Sequence, residues 1–299
     1  MNCQCLGARV VLKTRVITAV VMLIVLYMAT VWTTPFQFSV FVSLALLVSI
    51  LEWTGLMGLR TLATKMAYLT AFVVIMGLLA SLAQIFSPAM TLSHSVVLTL
   101  TGIGVLFWFV AFWLIRHFPE NTAQWASIPK TGVMGLLTLI PTWIALIQLK
   151  YLAPSGALVF ALIALVSIVD IGAYFTGKAW GRSKLAPKLS PGKSWAGFWG
   201  GMASCLLLAI ILLYPLNRYV VQIDGLHMAA FLVVAMVTAV FSVLGDLFES
   251  MLKRSQGLKD SGKSLPGHGG ILDRIDSLTS AAPVFVFFLL SLFADVTWP

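Results

Sequence analysis

The chain has 299 residues, of which 60% are hydrophobic and 10% are charged, and its mean hydropathy is +1.00. Soluble domains have about 45–50% apolar and about 25% charged residues, so this chain lacks the polar residues that would cover a soluble protein. The composition also excludes a disordered chain, a collagen and a disulfide-rich scaffold. What remains is a polytopic membrane protein with a net charge of +9.

Long apolar stretches predict about nine transmembrane helices, because a bilayer core about 30 Å thick needs roughly 20 mostly apolar residues per helix. The fifth and last stretches are short, and Pro141 interrupts the fifth. The runs are continuously apolar, which excludes a transmembrane β-barrel. The predicted fold class is therefore all-α. The stretches lie at about 16–33, 36–58, 66–86, 95–115, 132–149, 155–175, 196–215, 227–248 and 280–297.

The distribution of basic residues predicts a cytoplasmic N-terminus, since cytoplasmic segments of membrane proteins carry an excess of Lys and Arg. With that orientation, seventeen of the nineteen basic residues are cytoplasmic, and only Lys150 and Arg218 lie outside. With nine spans the C-terminus is outside, and the expected location is a cell membrane, the inner membrane in a bacterium. The seventeen are Arg9, Lys13, Arg15, Arg60, Lys65, Arg116, Lys130, Lys178, Arg182, Lys184, Lys188, Lys193, Lys253, Arg254, Lys259, Lys263 and Arg274.

The organisation is a single membrane domain over residues 1–299. Residues 1–150 supply the N-terminal membrane helices, and residues 151–299 supply the part expected to carry the chemistry. Two connections in the second part are unusually rich in charge and glycine, at 176–195 and 249–279.

Acidic residues are concentrated near the end of the chain, where five of the ten lie between positions 246 and 276. Asp246 lies inside an apolar stretch, and an ionisable group at membrane depth is expensive unless it is paired, so by default it marks a functional site. Asp246 and Glu249 are three residues apart and share a helix face, as do Asp273 and Asp276. A cation between carboxylates from two helix ends is the expected arrangement, and Mg²⁺ suits such ligands when phosphate is nearby.

Simpler interpretations exist for two of these acids. Glu249 is four residues from Lys253, which is the spacing of an ordinary helical ion pair. Asp276 near the start of a helix is favoured by the helix dipole. Neither interpretation accounts well for Asp246 or Asp273.

The segment from Pro266 to Gly270 cannot be regular helix, and its glycines allow backbone N–H groups to approach a ligand closely. Backbone nests of this kind beside Lys and Arg bind phosphate, and His268 is a further donor. Residues 257–264 also fit the P-loop pattern, but a P-loop must follow a strand and open a helix. We reject the P-loop and keep Lys259 and Lys263 as phosphate contacts.

The first connection has five bases in sixteen residues, with no acid among them. It is either a topogenic anchor for anionic lipid or a recognition loop for a lipid headgroup or nucleotide phosphate, and its glycines and prolines favour recognition. Asp170 precedes it and either pairs with Lys178 or binds a ribose hydroxyl or base amine. His94 and His227 have no neighbouring ligand set, so a zinc site is not expected.

Residues 250–277 follow the pattern S-x-x-K-R-x4-K-D-x-G and then P-G-H-G-G-x-x-D-R-x-D-S. This pattern resembles the signature of the phosphatidate cytidylyltransferase (CDP-diacylglycerol synthase) family. The stretches G-D-L-x-E-S at 245–250 and L-A-P-K-x-S-P-G-K at 185–193 are also similar to that family. Ala196 departs from it, since Glu or Gln is expected there.

The resemblance implies transfer of a cytidylyl group from CTP to phosphatidic acid, giving CDP-diacylglycerol and pyrophosphate for phospholipid synthesis. It also implies an Mg²⁺-dependent homodimer at the cytoplasmic face, with a second cation left open and no nucleic-acid partner. Asp246 and Asp273 would hold the metal. The catalytic set would be Asp246, Asp273, Lys259, Arg274 and Asp276, and the substrate-binding set would be Asp170, Lys193, Lys253, Arg254, Lys263, His268, Gly269 and Gly270.

Two other functions remain open from the sequence. A transporter or ion-coupled carrier would use Asp170 and Asp246 as ion sites, but it would be expected to have charges along several spans and repeated halves. A CTP-dependent enzyme acting on another lipid, either a kinase or a cytidylyltransferase, would need the same phosphate-binding groups.

Overall fold

A computed structural model describes residues 2–86 and 91–298, and side chains from residue 16 onward. This part of the chain forms ten α-helices, a short π-helix and one two-stranded antiparallel hairpin. The elements are α1 (Asn2–Val31), α2 (Pro35–Leu56), α3 (Leu62–Leu82), α4 (His94–Arg116), α5 (Thr122–Trp125), α6 (Ile128–Leu152), α7 (Ala157–Trp180), β1 (Lys184–Ala186), β2 (Ser190–Ser194), α8 (Trp195–Pro215), the π-helix (Leu216–Val220), α9 (Gly225–Ser255) and α10 (Leu272–Leu292).

Eight of these helices, α2, α3, α4, α6, α7, α8, α9 and α10, are long and apolar enough to cross a membrane. The all-α, polytopic class is confirmed, with the small hairpin as the one addition. The first predicted span corresponds to α1, whose apolar part, Val16–Val31, is shorter than the other eight. The count of nine and the side on which the N-terminus lies therefore stay predictions.

The fifth predicted span is longer than expected. The sequence predicted 132–149 with an interruption at Pro141, but α6 has 25 residues and continues through this proline. A Cβ atom on Gly104 of α4 would lie 2.6 Å from the Pro141 Cβ and 3.2 Å from that of Pro283. Membrane helices tolerate proline where neighbouring groups compensate, and Gly104 lets α4 pack closely against the prolines of α6 and α10.

Helices extend into both charged connections. The final helix begins at Leu272 rather than 280 and ends at Leu292, so the connection between α9 and α10 is residues 256–271, within the predicted cytoplasmic segment 249–279. The connection between α7 and α8 is residues 181–194, within the predicted segment 176–195. Lys253 near the end of α9 pairs with Asp273 near the start of α10, so charged residues here lie within helices and do not mark where the helices end.

Contacts between distant segments place the predicted cytoplasmic connections together at one end of the bundle, which we call the loop end. Thr18 Oγ1 of α1 donates to the Pro266 carbonyl oxygen over 3.1 Å. A Cβ on Gly58, after α2, would lie 3.1 Å from the side-chain oxygen of Gln256. Lys188 and Glu120 pair at 2.6 Å. The side chains of Arg9, Lys13 and Arg15, which contribute to the charge bias, lie outside the described residues.

Helices α7 and α8 are joined through small residues. A Cβ on Gly201 would lie 2.8 Å from the Val169 carbonyl oxygen, and one on Gly197 would lie 2.9 Å from that of Ala173. Small residues at such positions allow membrane helices to approach closely. This contact fixes the position of Asp170, one residue after Val169, relative to the hairpin that precedes α8.

Aromatic packing sets the rotation of α9. Phe248 is 1% exposed, and its ring packs edge-to-face against Trp108 and Phe107 of α4, with centroid separations of 5.4 and 5.6 Å. Burial of large aromatic rings dominates packing energetics. This anchor holds the neighbouring acids, Asp246 and Glu249, in a fixed orientation.

Candidate active site

Helices α9 and α10 are in backbone contact at the level of the acids. A Cβ on Gly245 would collide with the Asp276 carbonyl oxygen and with Ser280 Oγ. Ser280 Oγ in turn donates to the Phe241 carbonyl oxygen over 2.5 Å. Glycine at 245 is therefore required for this approach, which brings Asp246 and the acids of α10 together.

Lys253 lies between two carboxylates. Its Nζ donates to Asp273 Oδ1 over 2.8 Å and lies 3.3 Å from Glu249 Oε1. The three side chains are 14%, 5% and 4% exposed, respectively. The 3.3 Å contact lacks hydrogen-bond geometry, so among the described residues neither buried oxygen of Glu249 has a hydrogen-bond donor. The helical ion pair expected for Glu249 is present, and it leaves this carboxylate incompletely satisfied.

Asp273 is occupied by the loop that precedes it. Its carboxylate accepts from the backbone N–H of Ser261, over 3.0 and 3.1 Å, and from that of Gly270, over 2.8 Å. With Lys253, three donor groups point at one carboxylate. Asp273 therefore joins Ser261, in the first half of the connection between α9 and α10, to Gly270 near its end.

Asp246 pairs with a residue of the hairpin. Lys193 Nζ lies 2.6 Å from Asp246 Oδ2, and Ser250 Oγ donates to Oδ1 over 3.4 Å. Lys193 is held in place because it lies in β2, next to Ser194, which caps α8 by accepting from the Gly197 N–H over 3.1 Å. Asp246 keeps 29% of its side-chain surface exposed, so it remains accessible to a ligand.

Two further acids complete the cluster. Asp276 lies within electrostatic range of the carboxylates of Asp246 and Glu249 and of the ammonium groups of Lys193 and Lys253. Asp170 is exposed and lies within electrostatic range of Lys193 and Asp246. Asp170 does not pair with Lys178 in the described structure, where Lys178 lies 5.9 Å from the ring centroid of Tyr174.

The remaining predicted residues lie at the ends of α9 and α10 and on the loop between them. Four bases, Arg254, Lys259, Lys263 and Arg274, are exposed. His268 is half-buried, and its Nδ1 has no hydrogen-bond partner in the described structure. Gly269 has a φ of +81°, and a Cβ there would lie 2.7 Å from Asp273 Oδ2. The glycines thus allow the loop to close on Asp273.

The P-loop pattern does not form a P-loop. Residues 256–271 contain turns and an isolated bridge between Leu265 and Gly269, and α10 begins only at Leu272. Within the described part of the chain, the only strands belong to the hairpin. The strand and helix that a P-loop needs on its two sides are therefore not at 257–264.

Sequence reasoning missed Glu52 of α2. This residue is 8% exposed, and its carboxylate accepts from Ser264 Oγ and from the backbone N–H groups of Ile271 and Leu272. The criterion that marked Asp246, an acid within an apolar stretch, applies equally to Glu52. That signal was present in the sequence, but it did not indicate which segment the carboxylate binds.

A large apolar cavity of about 860 Å³ lies beside the cluster, between α4, α8, α9 and the hairpin. Leu244 and Leu247, which flank Asp246, contribute to its wall, and Arg116 and Lys188 also line it. Lys188 donates a hydrogen bond to the exposed Glu120, and this contact lowers the pKa of that carboxyl. The cavity can accept an apolar chain whose polar end meets basic groups.

Another polar contact lies at the opposite end of the bundle. His227 Nδ1 lies 2.7 Å from Asp224 Oδ1, and Nε2 lies 3.1 Å from Asp295 Oδ1. Hydrogen bonds from the backbone and side chain of His227 lower the pKa of Asp224. These acids were not expected beside His227. No group of three or more metal-binding side chains is present anywhere in the described residues.

The chain is similar to known proteins over most of its length. The model of the "Cytidylyltransferase family" matches residues 13–292. Proteins named phosphatidate cytidylyltransferase are 38% identical in Pseudomonas aeruginosa, covering 93% of this chain and 97% of the relative, and 34% identical in Haemophilus influenzae, covering 93% and 98%. A protein of the same name from Brucella suis is 35% identical and covers 93% of both chains. With its acid and base cluster within the matched residues, the chain belongs to the cytidylyltransferase family of enzymes.

Proposed function

We propose that this protein transfers the cytidylyl group of CTP to phosphatidic acid, giving CDP-diacylglycerol and pyrophosphate. The observation that carries the proposal is the cluster of paired carboxylates and ammonium groups around Asp246 and Lys253, at one end of a membrane bundle. The relatives that cover nearly the whole chain are named phosphatidate cytidylyltransferase, and from this name we take the two substrates.

The reaction needs little covalent chemistry from the protein. A phosphate oxygen of phosphatidic acid attacks the α-phosphorus of CTP and forms the new P–O bond. The bond from the α-phosphorus to the bridging oxygen breaks, and pyrophosphate leaves with the electron pair. The attacking phosphate is already ionised, so catalysis rests on charge neutralisation and alignment.

The basic residues of the site suit that task. Lys193 and Lys253 are held by carboxylates within the cluster, whereas Lys259, Lys263 and Arg274 are exposed on and just after the connecting loop. We propose that the exposed bases bind the phosphates of CTP, with His268 and the backbone at Gly269 and Gly270 as further donors. We propose that Asp170 and Arg254 also contact the nucleotide.

We propose that a magnesium ion binds at Asp246, with substrate oxygens among its other ligands. Asp246 is partly exposed and Asp276 lies within its electrostatic range, and among the described residues no donor reaches the two buried oxygens of Glu249. Mg²⁺ is commonly bound by one or two carboxylates together with substrate oxygens. Bound there, the ion would neutralise phosphate charge and favour departure of pyrophosphate. Asp246 is the more accessible of the two predicted ligands, because Asp273 already receives three donors.

The lipid substrate fits the surroundings of the cluster. We propose that its acyl chains occupy the apolar cavity whose wall includes Leu244 and Leu247, which places the phosphate near Lys193. The loop end then faces the cytoplasm, where CTP is available, in keeping with the predicted orientation. A homodimer in the bilayer is likewise proposed, and no nucleic acid takes part.

The test uses purified protein in detergent with phosphatidic acid and CTP labelled at the α-phosphate. We expect the label to enter a chloroform-soluble lipid, CDP-diacylglycerol, with Mg²⁺ and not after its removal by EDTA. A lipid kinase would instead transfer the label of γ-labelled CTP to lipid. Failure to form CDP-diacylglycerol under these conditions would overturn the proposal.

A transporter is less well supported by the geometry. The acids and bases at the loop end cluster on α9, α10 and the hairpin, and a transporter would be expected to place its charges along several spans. Uptake of a solute by vesicles that contain the protein, without lipid product, would favour that alternative.

A further inference from the structure

Glu52 lies far from the catalytic motifs in the sequence, yet it contacts the loop that carries them. Its Oε1 accepts from Ser264 Oγ over 2.5 Å and from the Ile271 N–H over 3.0 Å, and its Oε2 accepts from the Leu272 N–H over 2.8 Å. The partners are 212 to 220 residues away along the chain. One carboxylate of α2 therefore holds three groups of the connection between α9 and α10.

Glu52 satisfies groups that the loop leaves without partners. Helix α10 begins at Leu272, and Ile271 before it provides no side-chain cap. The first N–H groups of a helix have no partner within the helix, and a carboxylate there is also favoured by the helix dipole. Glu52 supplies from a neighbouring helix the cap that the local sequence lacks.

Two glycines show how closely the loop approaches this carboxylate. A Cβ on Gly262 would lie 2.5 Å from Glu52 Oε1, and one on Gly270 would lie 2.5 Å from Oε2. Lys263 lies between Gly262, which packs against Glu52, and Ser264, which donates a hydrogen bond to Glu52. The backbone of Lys263 is thus fixed by Glu52 while its side chain is exposed.

Asp273 holds the same loop from its other side, through the N–H groups of Ser261 and Gly270. Asp273 lies beside Lys253 and the other acids of the cluster, whereas Glu52 is outside that cluster. The two carboxylates together close the loop, and of the two only Asp273 belongs to the cluster around Lys253.

We propose that Glu52 is a positioning residue that holds the loop 256–271 closed, so that Lys259 and Lys263 are presented to the triphosphate of CTP. The part that concerns CTP rests on the proposed function. The closure of the loop rests on contacts within this chain and is tested separately.

The first experiment measures loop closure by limited proteolysis of the purified full-length protein. Glu52→Gln removes the negative charge and one of the two oxygen acceptors of the side chain. We expect trypsin to cleave this variant after Lys259 and Lys263 about tenfold faster than the wild type, because local opening of the loop governs cleavage. The matched control is Glu120→Gln, an acid at the same end that pairs with the hairpin, and it should leave this rate unchanged. Equal cleavage of Glu52→Gln and wild type would overturn the proposal, whichever reaction the protein catalyses.

The second experiment separates positioning from a general loss of structure. We expect the KM for CTP to rise about tenfold in Glu52→Gln, with kcat at saturating CTP within about threefold of wild type and the KM for phosphatidic acid unchanged. A lower melting temperature with both KM values and the cleavage rate unchanged would show a merely structural role and overturn the proposal.

If Glu52→Gln does not fold, Ser264→Ala removes one contact from the loop side and gives the same readouts. If the wild type makes no CDP-diacylglycerol but Glu52→Gln is cleaved faster, the closure stands and the proposed function fails.

Discussion

The acids of the site differ in what already binds them. Asp273 receives an ammonium group and two backbone N–H donors, so its charge is used to hold the loop. Asp246 has one ammonium partner and a distant hydroxyl, and part of its surface is exposed. In the sequence, the pair Asp246 and Glu249 has the same i, i+3 spacing as the pair Asp273 and Asp276. Only the hydrogen-bond and ion-pair partners seen in the structure distinguish the accessible carboxylate of Asp246 from the occupied one of Asp273.

We expect Asp246→Asn to lower kcat by about 100-fold or more, because removal of a single preorganised charge from an active site has an effect of this order. The neutral amide of asparagine cannot balance the positive charge of Lys193, and it binds a cation more weakly than a carboxylate does. The melting temperature in detergent should change little, since the side chain is partly exposed. The rate of CDP-diacylglycerol formation is the measurement, and Asp295→Asn at the opposite end serves as the control. Normal activity of Asp246→Asn would show that this carboxylate is not a ligand.

Lys150 is an exception to the concentration of basic residues in the predicted cytoplasmic segments, and its contacts explain what it does instead. It is one of two bases predicted on the outer side, and it is completely buried. Its Nζ donates to the carbonyl oxygens of Thr30 and Pro154, each over 2.5 Å. A cation near the end of α1 is favoured by the helix dipole, so this lysine joins α1 to the turn between α6 and α7.

At the scale of elements, the site depends on how closely the helices approach one another. Gly201 and Gly197 bring α8 against α7. The hairpin that contains Lys193 directly precedes the N-terminus of α8. The pair of Lys193 with Asp246 therefore requires that α7, α8 and α9 keep their spacing. An all-α prediction from hydropathy contained no hairpin, because its strands are only three and five residues long.

We expect Gly201→Leu to reduce activity at least about tenfold and to lower the melting temperature, because a larger side chain forces α7 and α8 apart. The Val169 carbonyl oxygen lies 2.8 Å from where the Cβ would be, so backbone must move. The control is Gly77→Leu in α3, where no atom of the described residues lies within 4 Å of a Cβ. Activity and thermal unfolding in detergent are measured for both variants. If they behave alike, the α7–α8 contact does not govern the site.

For the whole molecule, the contacts show which connections share an end, and the charge bias predicts which side of the membrane that end faces. The exposed Lys188 lies at the loop end, and the exposed Asp295 lies at the opposite end. The positive-inside rule assigns the loop end to the cytoplasm.

We expect a membrane-impermeant maleimide added to intact cells to label Asp295→Cys and not Lys188→Cys. Both substitutions are made after the native cysteines Cys3, Cys5 and Cys205 are replaced. Inverted vesicles should show the reverse pattern and serve as the control for reactivity. Labelling of Lys188→Cys alone in intact cells would reverse the predicted orientation.

The amino-acid sequence alone determined the class of protein, the approximate helices and the grouping of acids and bases, because hydropathy, charge and helical spacing are local properties. The tertiary structure decided where the charged connections end, that Asp273 is engaged by the loop, and that Glu52 and Lys150 bind groups on distant segments. The contacts of Glu52 join residues more than 200 positions apart. No local pattern encodes such a pairing, because a buried carboxylate needs donors but its own sequence does not specify which backbone will supply them.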